Sequence, residues 1–236
     1  MSASERRAAA RTAVVWNALR DVLDTPRDLL DIGGGTGGFA VRAAQLGHRV
    51  SVIDPSPDAL AALDRRAQES EVADRVTGQQ GELSTLREHV GPASVDVVLC
   101  HGVLEVIEDP AAALATIAEV LRPGGSLSLL VAQRHAAVVA RAMAGQFQTA
   151  RAILDGDPGG RSGNRFTSDE IISLLTDAGF TTDSVHGVRV FADLVPGALL
   201  DAEPGGEQAL LDLEQVVATR PEYLPLATQV HVLAHR

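Results

Sequence analysis

Lysine is missing from this chain of 236 residues: all 20 basic side chains are arginines, set against 31 acidic ones. The resulting formal charge of −11 opposes nonspecific binding to nucleic acid, because counterion release rewards concentrated positive charge, and no DNA partner is expected. Cysteine is nearly missing too. Cys100 is alone, has no internal disulfide partner, and ends the apolar run Val95–Cys100, so it reads as a buried thiol in a reducing compartment. No stretch approaches the about 18 uninterrupted apolar residues of a membrane span. The first ten residues carry Glu5, Arg6 and Arg7 without the apolar segment that a signal peptide needs. A cytoplasmic protein with no membrane partner is the expectation. Histidine, cysteine and carboxylate never recur at metal-ligand spacing, so no metal is expected either. Aromatics make up only 3%, but 45% of the residues are hydrophobic, enough to bury a core and to exclude wholesale disorder.

What is present alternates between strand and helix periodicity. Ala8–Leu23 has helical spacing of Val14, Val15, Ala18, Leu19, Val22 and Leu23. Short apolar runs at Leu29–Ile32, Val50–Ile53, Val95–Cys100 and Leu127–Val131 read as strands, with a weaker one at Asp74–Val76. Between them Gly38–Leu46, Asp58–Ser70 and Pro110–Leu121 read as helices, the last stopped by Arg122-Pro123-Gly124-Gly125. This β-α-β-α order predicts a doubly wound, Rossmann-like α/β fold with a parallel sheet. Farther on, Ala136–Leu154 reads as one helix and 155–162 as a turn-rich loop. Thr167 caps a helix over Ile171–Ala178 that Gly179 ends. Thr182–Phe191 and Thr228–Ala234, separated by a helix near Gln208–Ala218, are the remaining strand candidates.

The densest signal is Leu29-Leu30-Asp31-Ile32-Gly33-Gly34-Gly35-Thr36-Gly37-Gly38, a strand entering a turn of five glycines in six positions before a helix. Such a turn lets backbone N–H groups approach a ligand without side-chain obstruction. Gly33, Gly35 and Gly38 fit the dinucleotide pattern G-x-G-x-x-G, which alone is weak. Gly33, Gly35 and Gly37 fit G-x-G-x-G preceded two residues earlier by Asp31. Asp54, at the end of the second strand, suits an adenosine ribose in either case. Asp31 discriminates, because a carboxylate here repels a pyrophosphate and attracts a sulfonium with its ammonium. Charge therefore favours S-adenosylmethionine as cofactor over a nicotinamide dinucleotide.

At these residues the chain resembles the class I S-adenosylmethionine-dependent methyltransferases. The resemblance implies a seven-stranded, mostly parallel sheet with its last strand antiparallel. It implies that Asp31 with Gly33, Gly34, Gly35 and Gly37 meets the methionine part, Asp54 with Pro55 the ribose, and Glu82 with Leu83 the adenine. His101, after the fourth strand, is expected either to wall the cofactor or substrate pocket or to be a hydrogen-bonded core histidine. The whole of 1–236 is then one methyltransferase domain. It is organised as an N-terminal helix within 1–25, a cofactor-binding core over 26–131, and substrate-side helices with the final strands over 132–236.

A closer resemblance spans nearly the whole chain. Arg11 with Trp16, Cys100-His101-Gly102-Val103-Leu104-Glu105, Ala144-Gly145-Gln146-Phe147, Gly187-Val188-Arg189-Val190-Phe191, Leu211-Asp212-Leu213-Glu214, Tyr223 and His231-Val232 look like the tRNA 5-carboxymethoxyuridine methyltransferase family. What this implies is methyl transfer to the carboxylate of a modified wobble uridine in the anticodon of tRNA. The chain departs from the family where Thr228 and Gln229 stand in place of an arginine and an aromatic, and its N-terminal segment is shorter.

A carboxylate nucleophile is ionised at neutral pH and needs no general base, so no catalytic residue is assigned. It does need a cationic holder, a role for which guanidinium is well shaped. Arg189, in a strand-like run with Val188, Val190 and Phe191, is the candidate, a structural ion pair with one of the 31 acids being the alternative, and Arg11 and Tyr223 are further substrate-binding candidates. Arg134, Arg141, Arg151, Arg161 and Arg165, with only Asp155 and Asp157 among them, make either a candidate positive face for tRNA or a merely solvated helix face. A small carboxylate substrate and a small-molecule methyltransferase form the alternative. A nicotinamide-dependent oxidoreductase and a noncatalytic cofactor-binding protein are weaker ones.

Overall fold

A computed structural model describes residues 3–156, 163–202 and 204–236. Its strands are β1 (Asp28–Ile32), β2 (Arg49–Asp54), β3 (Val76–Gln80), β4 (Val95–His101), β5 (Leu121–Ala132), β6 (Thr181–Val188) and β7 (Gln229–His235). They form one sheet in the order β3-β2-β1-β4-β5-β7-β6. β1 pairs in parallel with both β2 and β4, and β2 with β3. β7 runs the other way. The Gly124 N–H donates to the Arg236 carbonyl and the Arg236 N–H to that of Gly125, while the Gln133 N–H donates to Thr228, so β7 retreats as β5 advances. The expected seven-stranded, mostly parallel sheet with an antiparallel last strand is present.

The helices are α1 (Ala3–Leu19), α2 (Gly38–Gln45), α3 (Pro57–Glu69), α4 (Leu86–His89), α5 (Pro110–Val120), α6 (Arg134–Met143), α7 (Phe147–Leu154), α8 (Ser168–Asp177), α9 (Gly197–Ala202) and α10 (Gly206–Val217). Their starts follow local chemistry. Ser56 Oγ accepts the Ala59 N–H at 3.2 Å ahead of Pro57, and Asp109 Oδ1 accepts that of Ala112 at 3.0 Å ahead of Pro110. Thr167 and Glu170 cap each other reciprocally at 3.2 and 2.8 Å at the head of α8.

Several boundaries differ from those the sequence predicts. α1 ends at Leu19, yet Leu23 is buried, because apolar spacing reports burial and not helical hydrogen bonding. β3 lies over Val76–Gln80 and not Asp74–Val76; four of its five residues are exposed, so this edge strand shows no apolar alternation. β5 begins at Leu121 and carries Arg122–Gly125 within it, because Gly124, at φ +77°, keeps ladder hydrogen bonds to Arg236 through the bend. The expected single helix over Ala136–Leu154 is two, broken at Gly145 with φ +73°. The strand expected to reach Phe191 stops at Val188.

The described chain falls into two compact units, one comprising Arg20–Leu129, Ile172–Asp183 and Leu233–Arg236, the other Met1–Leu19, Leu130–Ile171 and Ser184–Val232. The first buries Leu30, Ile32, Leu63, Leu99, Leu114 and Ile117 almost completely, each stabilising the fold by on the order of 2 kcal/mol. In the second, Val190, Val217 and Ala227 form an apolar cluster against which Phe191 and Tyr223 pack. Among the described residues, no helix is long and apolar enough to cross a membrane.

Candidate cofactor and acceptor sites

In the unit built on Arg20–Leu129, β1 has β2 on one side and β4 on the other, so the connections after β1 and β4 leave in different directions. Parallel sheets open a ligand crevice at such a point, beyond the carboxyl ends of the strands. The register brings the expected residues to that edge. Asp31 lies beside Val52 and Leu99, Ile32 beside Ile53 and Cys100, and Asp54 beside Gln80. Asp31, Asp54 and His101 thus end neighbouring strands.

The glycine turn is shaped by backbone demands. Gly33, Gly35 and Gly37 have φ of +68°, +55° and +78°, a region that side chains rarely adopt. A Cβ on Gly34 would stand 2.6 Å from Asp31 Oδ2, and one on Gly37 would overlap Leu63. The Gly33 N–H donates to the Ile53 carbonyl at 2.7 Å. Asp54 shapes the same turn: its Oδ2 accepts the Gly35 N–H and its Oδ1 the Ser56 N–H, both at 2.9 Å. Each oxygen keeps a further acceptor site for a ribose hydroxyl. Asp31 is only 4% exposed, beneath Gly34.

The remaining expected residues in this unit lie on three elements. The Pro55 carbonyl accepts from Gln80 Nε2 at 3.1 Å. Glu82 is exposed and caps the single turn Leu83–Thr85, its N–H donating to Thr85 Oγ1 at 3.2 Å, while Leu83 is buried. His101 Nε2 bonds Ser128 Oγ at 2.9 Å, and its ring meets Phe39 edge-on at 5.0 Å, which fixes the imidazole at the end of β4. Cys100 is completely buried, and desolvation pushes its thiol pKa far up, aided by the charges of Glu105 and Asp31, so it is no nucleophile.

The second unit holds a cavity of ≈420 Å³ whose lining includes Arg7, Arg141, Arg165, Arg189, Asp193 and Thr228. Four guanidiniums against one carboxylate make it strongly positive, on a chain of net charge −11. Arg189 is not in a strand. It sits at φ +60°, one residue past β6. The turn that it begins is held from 24 residues away: the buried Glu214 carboxylate accepts the N–H groups of Val190, Phe191 and Ala192 at 2.8, 2.8 and 2.7 Å. Arg189 Nε and Nη2 both donate to Asp193 Oδ2, at 2.9 and 2.6 Å. Asp193 also meets Arg7 Nε at 2.5 Å and accepts from Thr228 Oγ1 at 2.7 Å. Among the described residues Arg189 Nη1 has no partner in these bonds.

Arg11 is partly buried on α1, and Tyr223 packs edge-on against Phe191 at 5.9 Å; neither is among the cavity's lining residues. The expected arginine face divides. Arg134 is tied to Glu170 Oε1 at 2.7 Å and to the Arg165 carbonyl, and Arg141 and Arg165 line the cavity. Arg151 is exposed near Asp155, and Arg161 and Asp157 lie outside the described residues.

A methyltransferase domain family matches residues 30–127. The tRNA 5-carboxymethoxyuridine methyltransferase of Escherichia coli K12 is 30% identical over 232 residues, which cover 96% of this chain and 88% of that one. The chain belongs to the S-adenosylmethionine-dependent methyltransferases. A ubiquinone biosynthesis O-methyltransferase of Xanthomonas euvesicatoria is 30% identical over 160 residues, 68% of this methyltransferase and 65% of its own length. Among solved structures, an S-adenosylmethionine-dependent methyltransferase from Mesorhizobium loti superposes with a TM-score of 0.63 at 20% identity, covering 94% and 98% of the two chains. The 1,6-didemethyltoxoflavin-N1-methyltransferase of Burkholderia thailandensis, with bound S-adenosylhomocysteine, gives 0.60 at 22% identity over 98% and 79%.

The cofactor is S-adenosylmethionine, and the methyltransferase has residues that fit it. The turn excludes side chains at Gly34 and Gly37, and a buried carboxylate lies under it where a cationic ligand end is favoured. The nicotinamide reading falls with the family. Sequence reasoning missed Arg7, Asp193 and the role of Glu214. Arg7 and Glu214 have their partners in separate segments, and Asp193 has only Arg189 close in sequence, within a run whose alternation reads as a strand.

Proposed function

We infer that this methyltransferase esterifies a carboxylate, that of 5-carboxymethoxyuridine at the wobble position of a tRNA, in the cytoplasm. The observation that carries the reading is the cavity with Arg7, Arg141, Arg165 and Arg189 around Asp193. It offers guanidinium to a planar anion, and the family likeness over 96% of the chain supports the same substrate class. When bound, S-adenosylmethionine would supply a methyl group on a sulfonium, an electrophile that a carboxylate oxygen can take with release of the neutral thioether. Asp31 with Gly33, Gly34, Gly35 and Gly37 holds the methionine end, Asp54 with Pro55 the ribose, and Glu82 with Leu83 the adenine. His101 walls the pocket. Arg189 receives the acceptor carboxylate through Nη1 while Asp193 fixes its other edge. The remaining work is alignment, since an ionised carboxylate needs no base. Arg11 and Tyr223 are assigned to the acceptor side on the resemblance alone.

A small carboxylate is the second reading, favoured by the charge of −11 and by the engagement of Arg189 with Asp193. Nucleoside mass spectrometry of tRNA from cells with and without the gene tests the first. The methyl ester should vanish in the deletion strain. An unchanged profile in cells that make the acid precursor turns the assignment to the small molecule.

A further inference from the structure

The α6–α7 hairpin carries an apolar tip that none of the roles above uses. Every residue from Met143 to Thr149 is exposed. Met143 is 73% and Phe147 71% exposed, although burying either in a core is worth on the order of 2 kcal/mol. Val139, one turn before Met143 on the same helix face, is also exposed and lines the arginine cavity, so the apolar stripe begins at the cavity and runs to the tip. Arginine flanks it on both helices. Arg141 shares the cavity and donates to Gln146 Oε1 across the hairpin at 3.1 Å, and Arg151 projects from α7 with 84% of its side chain exposed. From Arg134 to Gly156 the only acid is Asp155. On an acidic protein this is a local reversal of charge around an exposed ring.

We propose that Phe147 and Met143 form a stacking platform for an unpaired base of the RNA loop that carries the acceptor, with Arg141 and Arg151 meeting its phosphates. The proposal rests on the tRNA reading given under Proposed function. Its physical basis is the pairing of a ring with guanidiniums, the combination that holds splayed bases of single-stranded loops. A purely apolar protein partner has no use for the arginines.

The test is fluorescence anisotropy with an anticodon stem-loop oligonucleotide bearing 5-carboxymethoxyuridine, on the full chain with cofactor present. Phe147→Ala is expected to weaken binding about tenfold, and Met143→Ala less, because stacking one base contributes on that scale. Phe147→Trp should stay within about twofold of wild type, the ring being retained. Methylation of the free nucleoside should be unchanged in all three, which shows that they are folded. Wild-type affinity in Phe147→Ala overturns the platform while leaving the tRNA reading intact. If the wild-type protein ignores the stem-loop but methylates a small carboxylate, the tRNA reading falls and takes the platform with it. A wild-type dimer that Phe147→Ala converts to monomer in light scattering overturns the proposal by giving the tip to a second copy of the chain.

Discussion

The glycine turn after β1 and the arginine cavity are built on opposite principles. The turn is made chiefly by the backbone conformation of ten consecutive residues, braced by Ile53 and Asp54, and the absence of side chains is its working feature. The cavity is made by side chains from positions 7, 141, 165, 189, 193 and 228, held at their distances by ion pairs and by the Glu214 carboxylate. On the reading proposed above, a cofactor would be met by the part whose backbone leaves no room for side chains at Gly34 and Gly37, and the acceptor by the part assembled from scattered side chains.

That contrast can be broken experimentally. Gly37→Ala should have the largest effect: strained at φ +78° and driven into Leu63, it is expected to cost about 2–4 kcal/mol of stability. It should abolish cofactor binding in calorimetry; near-normal affinity would show that the turn tolerates side chains after all. Arg189→Ala should lower kcat/KM for the acceptor by roughly 10- to 100-fold, since it removes a charged donor and leaves Asp193 to repel the substrate. Cofactor affinity should stay the same, and parallel loss of both would erase the division between the two sites.

The smallest effect is expected at a charge network that belongs to neither site. Asp28 is held below the ordinary carboxylate range by the Arg49 hydrogen bond, with Arg122 adding to it against the opposing effect of burial. For Asp96 burial pushes upward, but the Arg122 hydrogen bond and the Asp28 N–H together prevail and lower it. Because both carboxyls titrate lower when folded, they stabilise the fold above about pH 4 and lose that contribution as pH falls through their folded values. Arg122→Ala should therefore lower the urea midpoint modestly at pH 7, with the difference from wild type shrinking toward pH 3. A difference independent of pH would assign Arg122 a packing role instead.

Elements whose signal is local were legible in the sequence. The Ser56-Pro57 and Asp109-Pro110 helix starts and the Thr167–Glu170 cap depend on neighbours within a few residues, and the β1 turn is marked by its own glycines although Asp54 holds it from 19 residues away. After β6 a distant partner overrules the local pattern. Val188-Arg189-Val190-Phe191 alternates like a strand, but Glu214 draws the three N–H groups after Arg189 into a turn. Asp193 does not stand out in the sequence as a site residue because, beside Arg189 four residues away, its partners Arg7 and Thr228 come from distant segments. β3 was misplaced because an exposed edge strand has little need of apolar residues.

The burial of Cys100 gives the protein an internal clock for its own opening. The sole thiol of the chain sits on β4 directly beside Ile32 of β1, with none of its surface exposed. A thiol-alkylating reagent can reach it only when the centre of the sheet parts, so the labelling rate counts those openings one molecule at a time. Ligands that bind the closed form slow that count in proportion to their occupancy, without any need for turnover.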